Sequence, residues 1–328
     1  VPPPSQTFFR RIDYSYQLTP RQALAKLSFI AAKRRTMCGI AGLFLKNRAL
    51  EPELGSHLAA MLGVLTDRGP DSAGFAVYGA GTPGHVKFTL RGPKNFDFPA
   101  LAARLGAACT LHDDHAVFII PESASAELRA GLAKKPEIAI VATGARMELF
   151  KGIGLPDDVS RRFGLAGMAG SHAIGHTRMA TESAVTTAGA HPFSTGPDQC
   201  LVHNGSLSNH NDVRRRLMRE NMVFETQNDT EVAAGYLSWK LRQGAKLDAA
   251  LGSALDVLDG FYTFVVGTES GFGVLRDPVA CKPAVMAETD DYVAFGSEYR
   301  ALADLPGISK ARLFEPAPAQ VYFWEHAA

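Results

Sequence analysis

Two rhythms of apolar residues run along the chain. Cys38 to Leu45 is short and almost wholly apolar, which predicts a buried strand. From Glu51 to Leu65 the apolar residues Leu54, Leu58, Met61, Leu62 and Leu65 recur at helical spacing. A turn-rich run, Asp67-Arg68-Gly69-Pro70-Asp71-Ser72-Ala73-Gly74, separates this helix from a second strand at Phe75 to Tyr78. Further on, helices are predicted over Asp229 to Arg242 and over Leu247 to Leu258, the latter with Leu247, Leu251, Leu255 and Leu258 on one face. Strands follow at Phe261–Gly267, Gly273–Arg276, Ala284–Glu288, Tyr292–Phe295 and Val321–Trp324. Their short spacers, with Gly or Asp-Asp, predict antiparallel hairpins. Strands in runs and helices in runs define an α+β protein with helices packed on antiparallel sheets.

Residues 79–170 change character. Ala116 to Ile120 and Ile138 to Val141 read as strands flanking a helix from Ser123 to Lys135, with a further helix from Asp157 to Phe163. A small α/β module inserted at about 79–170 is expected. His112-Asp113-Asp114-His115 lies within it and reads as a solvated polar loop, because spacing supplies no third metal ligand.

Composition narrows the class. The 328 residues are 46% hydrophobic and 20% charged, ordinary for a globular protein, with no apolar run of membrane-spanning length. Residues 1–36 hold seven Lys/Arg against one acid, a net of +6, so the rest carries −5 of the total +1. No basic surface for nucleic acid is indicated once that leader is set aside. Cys38, Cys109, Cys200 and Cys281 are widely spaced with no CxxC pair, which fits a reducing cytoplasm. Residues 1–37 read as an over-extended start with Met37 the initiator, as a cleaved propeptide, or as a presequence or retained arm. Only a retained arm conflicts with the chemistry that follows.

A Cys directly after a Met can become the first residue of a mature chain. It then carries a thiol beside an α-amine whose ordinary pKa is about 7.7–8.0. Nucleophile and general base in one residue is the N-terminal-nucleophile arrangement for amide hydrolysis. A lone Cys is otherwise a small buried hydrophobe. Six motifs shift that balance: Cys38-Gly39-Ile40, Arg68-Gly69-Pro70-Asp71-Ser72, Gly175-His176-Thr177-Arg178-Met179-Ala180-Thr181, His191-Pro192-Phe193, His203-Asn204-Gly205 and Asp229-Thr230-Glu231. In kind and order they resemble class II glutamine amidotransferases. The likeness covers most of residues 38–300.

The resemblance implies a four-layer αββα N-terminal-nucleophile hydrolase sandwich across 38–328. It makes Cys38 the nucleophile, with Gly39 leaving room for a substrate carbonyl. Asn204 and Gly205 would form the oxyanion hole, although Asn-Gly is also a common turn. Arg178 would grip the substrate α-carboxylate through its planar fork. Asp229 would hold the α-ammonium, its alternative being a helix cap. Thr181 would add a hydroxyl contact and His191 would sit at the pocket edge. Arg68 and Asp71 are expected to brace their loop, and His176 and His203 to be structural. Met179 stands where several members carry an aromatic residue. The whole-chain pattern is similar to the stand-alone amidotransferase subunit of glutamate synthase or N-methylglutamate synthase-type complexes. That implies glutamine as substrate, no cofactor on this chain, and partner synthase subunits bearing flavin and iron–sulfur clusters. A free-standing amidohydrolase and a non-catalytic regulatory subunit are the alternatives.

Overall fold

The computed structural model describes residues 37–180 and 184–326. In chain order, its first half comprises β1 (Gly39–Leu45), α1 (Leu54–Val64), β2 (Ser72–Tyr78), β3 (His85–Arg91), α2 (Phe98–Arg104), β4 (Ala108–His112), β5 (His115–Pro121), α3 (Ser125–Leu132), β6 (Ala139–Gly144), β7 (Met147–Ile153) and α4 (Pro156–Phe163). The second half comprises β8 (His172–Arg178), β9 (Phe193–Gly196), β10 (Gln199–Leu207), α5 (His210–Arg219), α6 (Asp229–Arg242), α7 (Leu247–Val257), β11 (Gly260–Gly267), β12 (Gly271–Arg276), β13 (Val285–Glu288), β14 (Tyr292–Gly296), β15 (Arg312–Phe314) and β16 (Val321–Glu325). A seven-stranded sheet runs β15-β13-β14-β1-β8-β2-β7 and a five-stranded sheet β16-β12-β11-β10-β9. Every pairing in both is antiparallel.

The alternation along β1 sets the layers. Ala41, Leu43 and Leu45 face outward onto Leu54, Leu58 and Leu62 of α1. Ile40 and Phe44 face inward and meet Val202, Val265 and Phe272 of the other sheet. Gly42 shares that inner face, where a Cβ would lie 2.6 Å from the Phe272 ring, so glycine lets the sheets close. The outer face of the five-stranded sheet, with Leu201, Phe264 and Val266, is covered by Val232, Leu237 and Leu251 of α6 and α7. Each such fully buried side chain stabilises the fold by about 1.5–3 kcal/mol. The result is the four-layer αββα sandwich that the motifs implied.

The four-stranded antiparallel sheet β4-β5-β3-β6 occupies residues 85–144 only. The stretch from 79 to 170 therefore also contains core. β7 pairs with β2 in the main sheet, and Val159 and Phe163 of α4 pack into the cluster around α1. One face of the small sheet, with Phe88, Leu90 and Phe118, buries Phe98, Leu101, Leu128 and Leu132 of α2 and α3. The opposite face turns toward β7. There Lys87 pairs with Glu148 at 2.6 Å, and the Thr89 hydroxyl accepts the Leu149 N–H at 3.3 Å.

The His112–His115 segment is not a solvated loop. It is the β4–β5 hairpin turn, docked on the main body, with Asp113 at φ 52°. His115 is fully buried, edge-on to Phe163 with ring centroids 4.8 Å apart, and bonded to Asp114 Oδ1 at 2.8 Å. Among the described residues no group of His, Cys, Asp and Glu could hold a metal, and no helix is long and apolar enough to cross a membrane.

Candidate active site

Strand pairing brings Cys38 and Arg178 to the same end of the seven-stranded sheet, because Gly39 of β1 stands opposite Thr177 of β8. Asn204 and Gly205 come from β10 of the facing sheet, and Asp229 opens α6. These residues line one cavity of about 670 Å³, with His191 at its wall. Thr181 lies outside the described residues, as does the assigned leader apart from Met37.

The nucleophile candidate is held by its own carbonyl. Arg68 Nε donates to Cys38 O at 3.0 Å and Asn204 Nδ2 donates to it at 3.1 Å. Arg68 is itself anchored to Glu298 at 2.6 Å, so its role extends beyond bracing the 67–74 loop. The next turn of β1 is pinned by Ser297, whose hydroxyl accepts from Ile40 N at 2.9 Å. Cys38 Sγ lies 3.9 Å from Met179 O. Burial pushes the thiol pKa up, against the pull of the Arg178, Lys282 and Arg68 cations. The thiol is therefore protonated at neutral pH.

Gly39 does not open space for a substrate carbonyl. A Cβ there would lie 2.7 Å from Thr177 Oγ1 and 3.0 Å from Leu65, so the glycine serves close packing of β1 against β8 and the 65–69 turn. Asp71 braces the strand end that carries Arg178: its carboxylate accepts from Ala180 N at 2.8 Å and its N–H donates to Arg178 O at 3.1 Å. Arg178 is 6% exposed and lines the cavity.

Asn204-Gly205 is not a turn. Both residues sit inside β10, opposite Thr263 and Tyr262 of β11. Gly205 has φ 152°, and a Cβ there would fall 2.0 Å from Phe261 O, so only glycine brings this backbone into the cavity wall.

Asp229 is not the helix cap. Asn228 takes that place, accepting from Thr230 N at 2.9 Å. The Asp229 carboxylate accepts from Leu207 N at 2.9 Å and lies 3.7 Å from His203 Nδ1. Burial alone would raise its pKa, but His203 and the Leu207 N–H hold it well below the ordinary carboxylate range. It is an anion at neutral pH.

Behind these residues lies a buried histidine cluster. His203 Nδ1 and His191 Nε2 both meet the Thr230 hydroxyl, at 3.0 and 3.1 Å. His176 Nε2 meets His203 O at 3.0 Å, and its ring lies 4.1 Å from that of His191. Desolvation pushes His176 down to about 3 and His191 well below its usual value, so both rings are neutral. Neutral rings fit hydrogen bonding. Sequence reasoning did not single out Thr230 as the hub or Lys282 as a cation on the cavity wall. Neither stood out, because Thr230 follows a stronger candidate and Lys282 sits in an aperiodic loop.

The four-layer sandwich that carries this cavity is the fold of the N-terminal-nucleophile hydrolases. A family model described as a glutamine amidotransferase domain matches residues 176–304. The glutamine amidotransferase-like protein GlxB of Rhizobium meliloti is 60% identical over 297 residues, covering 88% of this chain and 99% of its own length. A putative glutamine amidotransferase of Methanothermobacter thermautotrophicus is 34% identical, covering 87% of this chain and 99% of its own length. Among solved structures, the glutamine phosphoribosylpyrophosphate amidotransferase of B. subtilis superposes with a TM-score of 0.57 at 20% identity, over 88% of this chain. This chain spans 47% of that enzyme's length. The chain belongs to the class II glutamine amidotransferases.

Proposed function

We propose that the mature chain begins at Cys38, hydrolyses glutamine to glutamate and ammonia, and passes the ammonia to a partner synthase subunit. The observation that carries this is the convergence of Cys38, Asn204, Gly205, Arg178 and Asp229 on one cavity, with Asn204 Nδ2 already 3.1 Å from the nucleophile's carbonyl.

Arg178 takes the substrate α-carboxylate and Asp229 the α-ammonium, which sets the side-chain amide over Cys38. His191 and Thr181 border the same substrate. The α-amine of Cys38 accepts the thiol proton, and the thiolate attacks the amide carbon. Negative charge moves to the amide oxygen, where Asn204 Nδ2 and the Gly205 N–H donate. Collapse of the adduct breaks the C–N bond. The α-ammonium returns its proton to the leaving nitrogen, releasing ammonia and a thioester on Cys38. Water, deprotonated by the same amine, then hydrolyses the thioester to glutamate.

Delivery to a partner is supported by chain organisation. The match to glutamine–fructose-6-phosphate aminotransferase of Vibrio vulnificus covers 39% of this chain but only 21% of that protein. The described residues form the amidase sandwich and a small sheet. The partner is of the glutamate synthase or N-methylglutamate synthase type, with flavin and iron–sulfur clusters on its own subunits and the complex in the cytoplasm. The test is Cys38→Ala in the purified complex. Ammonia release from glutamine is lost while ammonia-dependent synthesis survives. Retained hydrolysis, or an intact mass that still includes residues 1–37, removes the proposal. A chain that hydrolyses glutamine at full rate without any co-purifying subunit is instead a free-standing amidohydrolase.

A further inference from the structure

A second cavity, of about 350 Å³, lies between the small sheet and the main body. Its position follows from the polar face of β3. Lys87, Thr89 and Arg91 alternate on that face, and the first two are matched by Glu148 and the Leu149 N–H. The third is not. Arg91 opens into the cavity, and its guanidinium makes no hydrogen bond or ion pair with any described residue.

Two further cations share the space. Lys151 of β7 is 8% exposed, and its ammonium donates to the carbonyls of Ala188, Ala190 and Pro192 at 3.0, 3.0 and 3.4 Å. Those bonds use its three donors, the ammonium lies 4.5 Å from the Phe193 ring centroid, and Glu231 and Glu225 favour its charge only from a distance, with no carboxylate within 4 Å among the described residues. Arg129 is held over the Phe88 ring at 5.0 Å and donates to Thr143 Oγ1 at 3.3 Å. Glu225 and Glu231 lie on the lining as well, but the Glu231 carboxylate is taken up by the N–H groups of Glu225 and Thr226 and by the Thr226 hydroxyl. Three cations against two acids leave the lining with a net positive charge, although Asp114, off the lining, also feels the charge of Arg91. Arg91 and the buried Lys151 repel each other, and desolvation followed by Arg91 holds the Lys151 pKa at about 8.

We propose that this cavity binds a small dianion, a phosphate group or paired carboxylates, with the Arg91 fork as its principal donor and Arg129 and Lys151 completing the positive field. Five unused N–H donors in a fixed plane suit an oxyanion. The cavity has room for inorganic phosphate, a short dicarboxylate or a phosphate ester's head. One segment borders both this cavity and the first. The Lys151-tethered segment 188–193 lines this cavity with Ala188 and Phe193 and the first cavity with Gly189 and His191.

The experiment is titration calorimetry on the purified full chain with sodium phosphate and, separately, sodium malonate, at ionic strength matched with sodium chloride. At least one anion should bind saturably with Kd below about 1 mM, and Arg91→Ala should weaken it by about 10- to 100-fold. Arg91→Lys should recover only part of the loss, since a point charge replaces a fork. Binding of phosphate alone identifies a phosphate source, and of malonate alone a carboxylate source. No saturable heat with either anion, or equal affinity in wild type and an Arg91→Ala variant that melts normally, overturns the proposal. None of these readouts depends on glutamine hydrolysis.

Discussion

Asn204→Ala separates the structural duty of one amide from its proposed catalytic one. Asn204 is 2% exposed, and its Nδ2 donates to Cys38 O at 3.1 Å. Truncation does not orphan that carbonyl, because Arg68 Nε still donates to it at 3.0 Å. The loss of stability is therefore that of one ordinary hydrogen bond, about 1 kcal/mol. The loss in catalysis is larger. An oxyanion donor acts on charge that exists only in the transition state, so its removal should lower kcat by about 10²–10³-fold, or about 2.7–4 kcal/mol. KM for glutamine should hardly move, since the proposed substrate grip lies with Arg178 and Asp229. The assay is steady-state glutaminase kinetics paired with urea unfolding on the same preparation. A fall in kcat below tenfold, or a rise in KM that accounts for the whole effect, would falsify the oxyanion role and leave Asn204 as a brace for Cys38.

Three further outcomes are expected. Arg178→Lys should raise KM for glutamine by about tenfold or more with kcat within a few-fold, because a bidentate pair becomes a point charge; an unchanged KM takes Arg178 out of the substrate site. Gly205→Ala forces a Cβ to 2.0 Å from Phe261 O at φ 152°, so a thermal melt should show a loss of at least about 1–3 kcal/mol, and an unshifted melt would mean the β10–β11 pairing yields freely. Acid should begin to destabilise the fold above the range where ordinary carboxylates titrate. His172 and His176 are pushed down to about 3 by burial, so the unfolded chain binds more protons below pH 6.5. Stability is complete above that pH and lost as pH falls toward 3, at up to about 1.4 kcal/mol per histidine per pH unit. Urea unfolding at pH 7 and pH 5 measures it, and equal values at both pH values refute neutral burial.

Legibility in the sequence followed how local each signal was. β1, α1, α6 and α7 were readable because their apolar residues repeat against one fixed neighbour, as Leu54, Leu58 and Leu62 do against the outer face of β1. β10 was not, since both its faces are buried and Asn204-Gly205 in its middle carries a turn's composition. β3 and β7 were missed for a related reason. Lys87 and Glu148 break the apolar pattern, and their justification is a partner 61 residues away. The same limit shaped the site. Motif chemistry picked out Cys38, Arg178, Asn204 and Asp229, but not what holds them. Arg68 was assigned to its own loop, whereas it reaches 30 residues back to the Cys38 carbonyl. Gly39 was given to the substrate, whereas Thr177 and Leu65 occupy that space. A motif therefore picks out groups that gather at one cavity. The supporting bonds run across sheet pairings, and only three-dimensional register assigns them. Arg91 is the converse case: register supplies partners for its neighbours Lys87 and Thr89 and none for it, which is why an arginine without a motif draws attention to the second cavity.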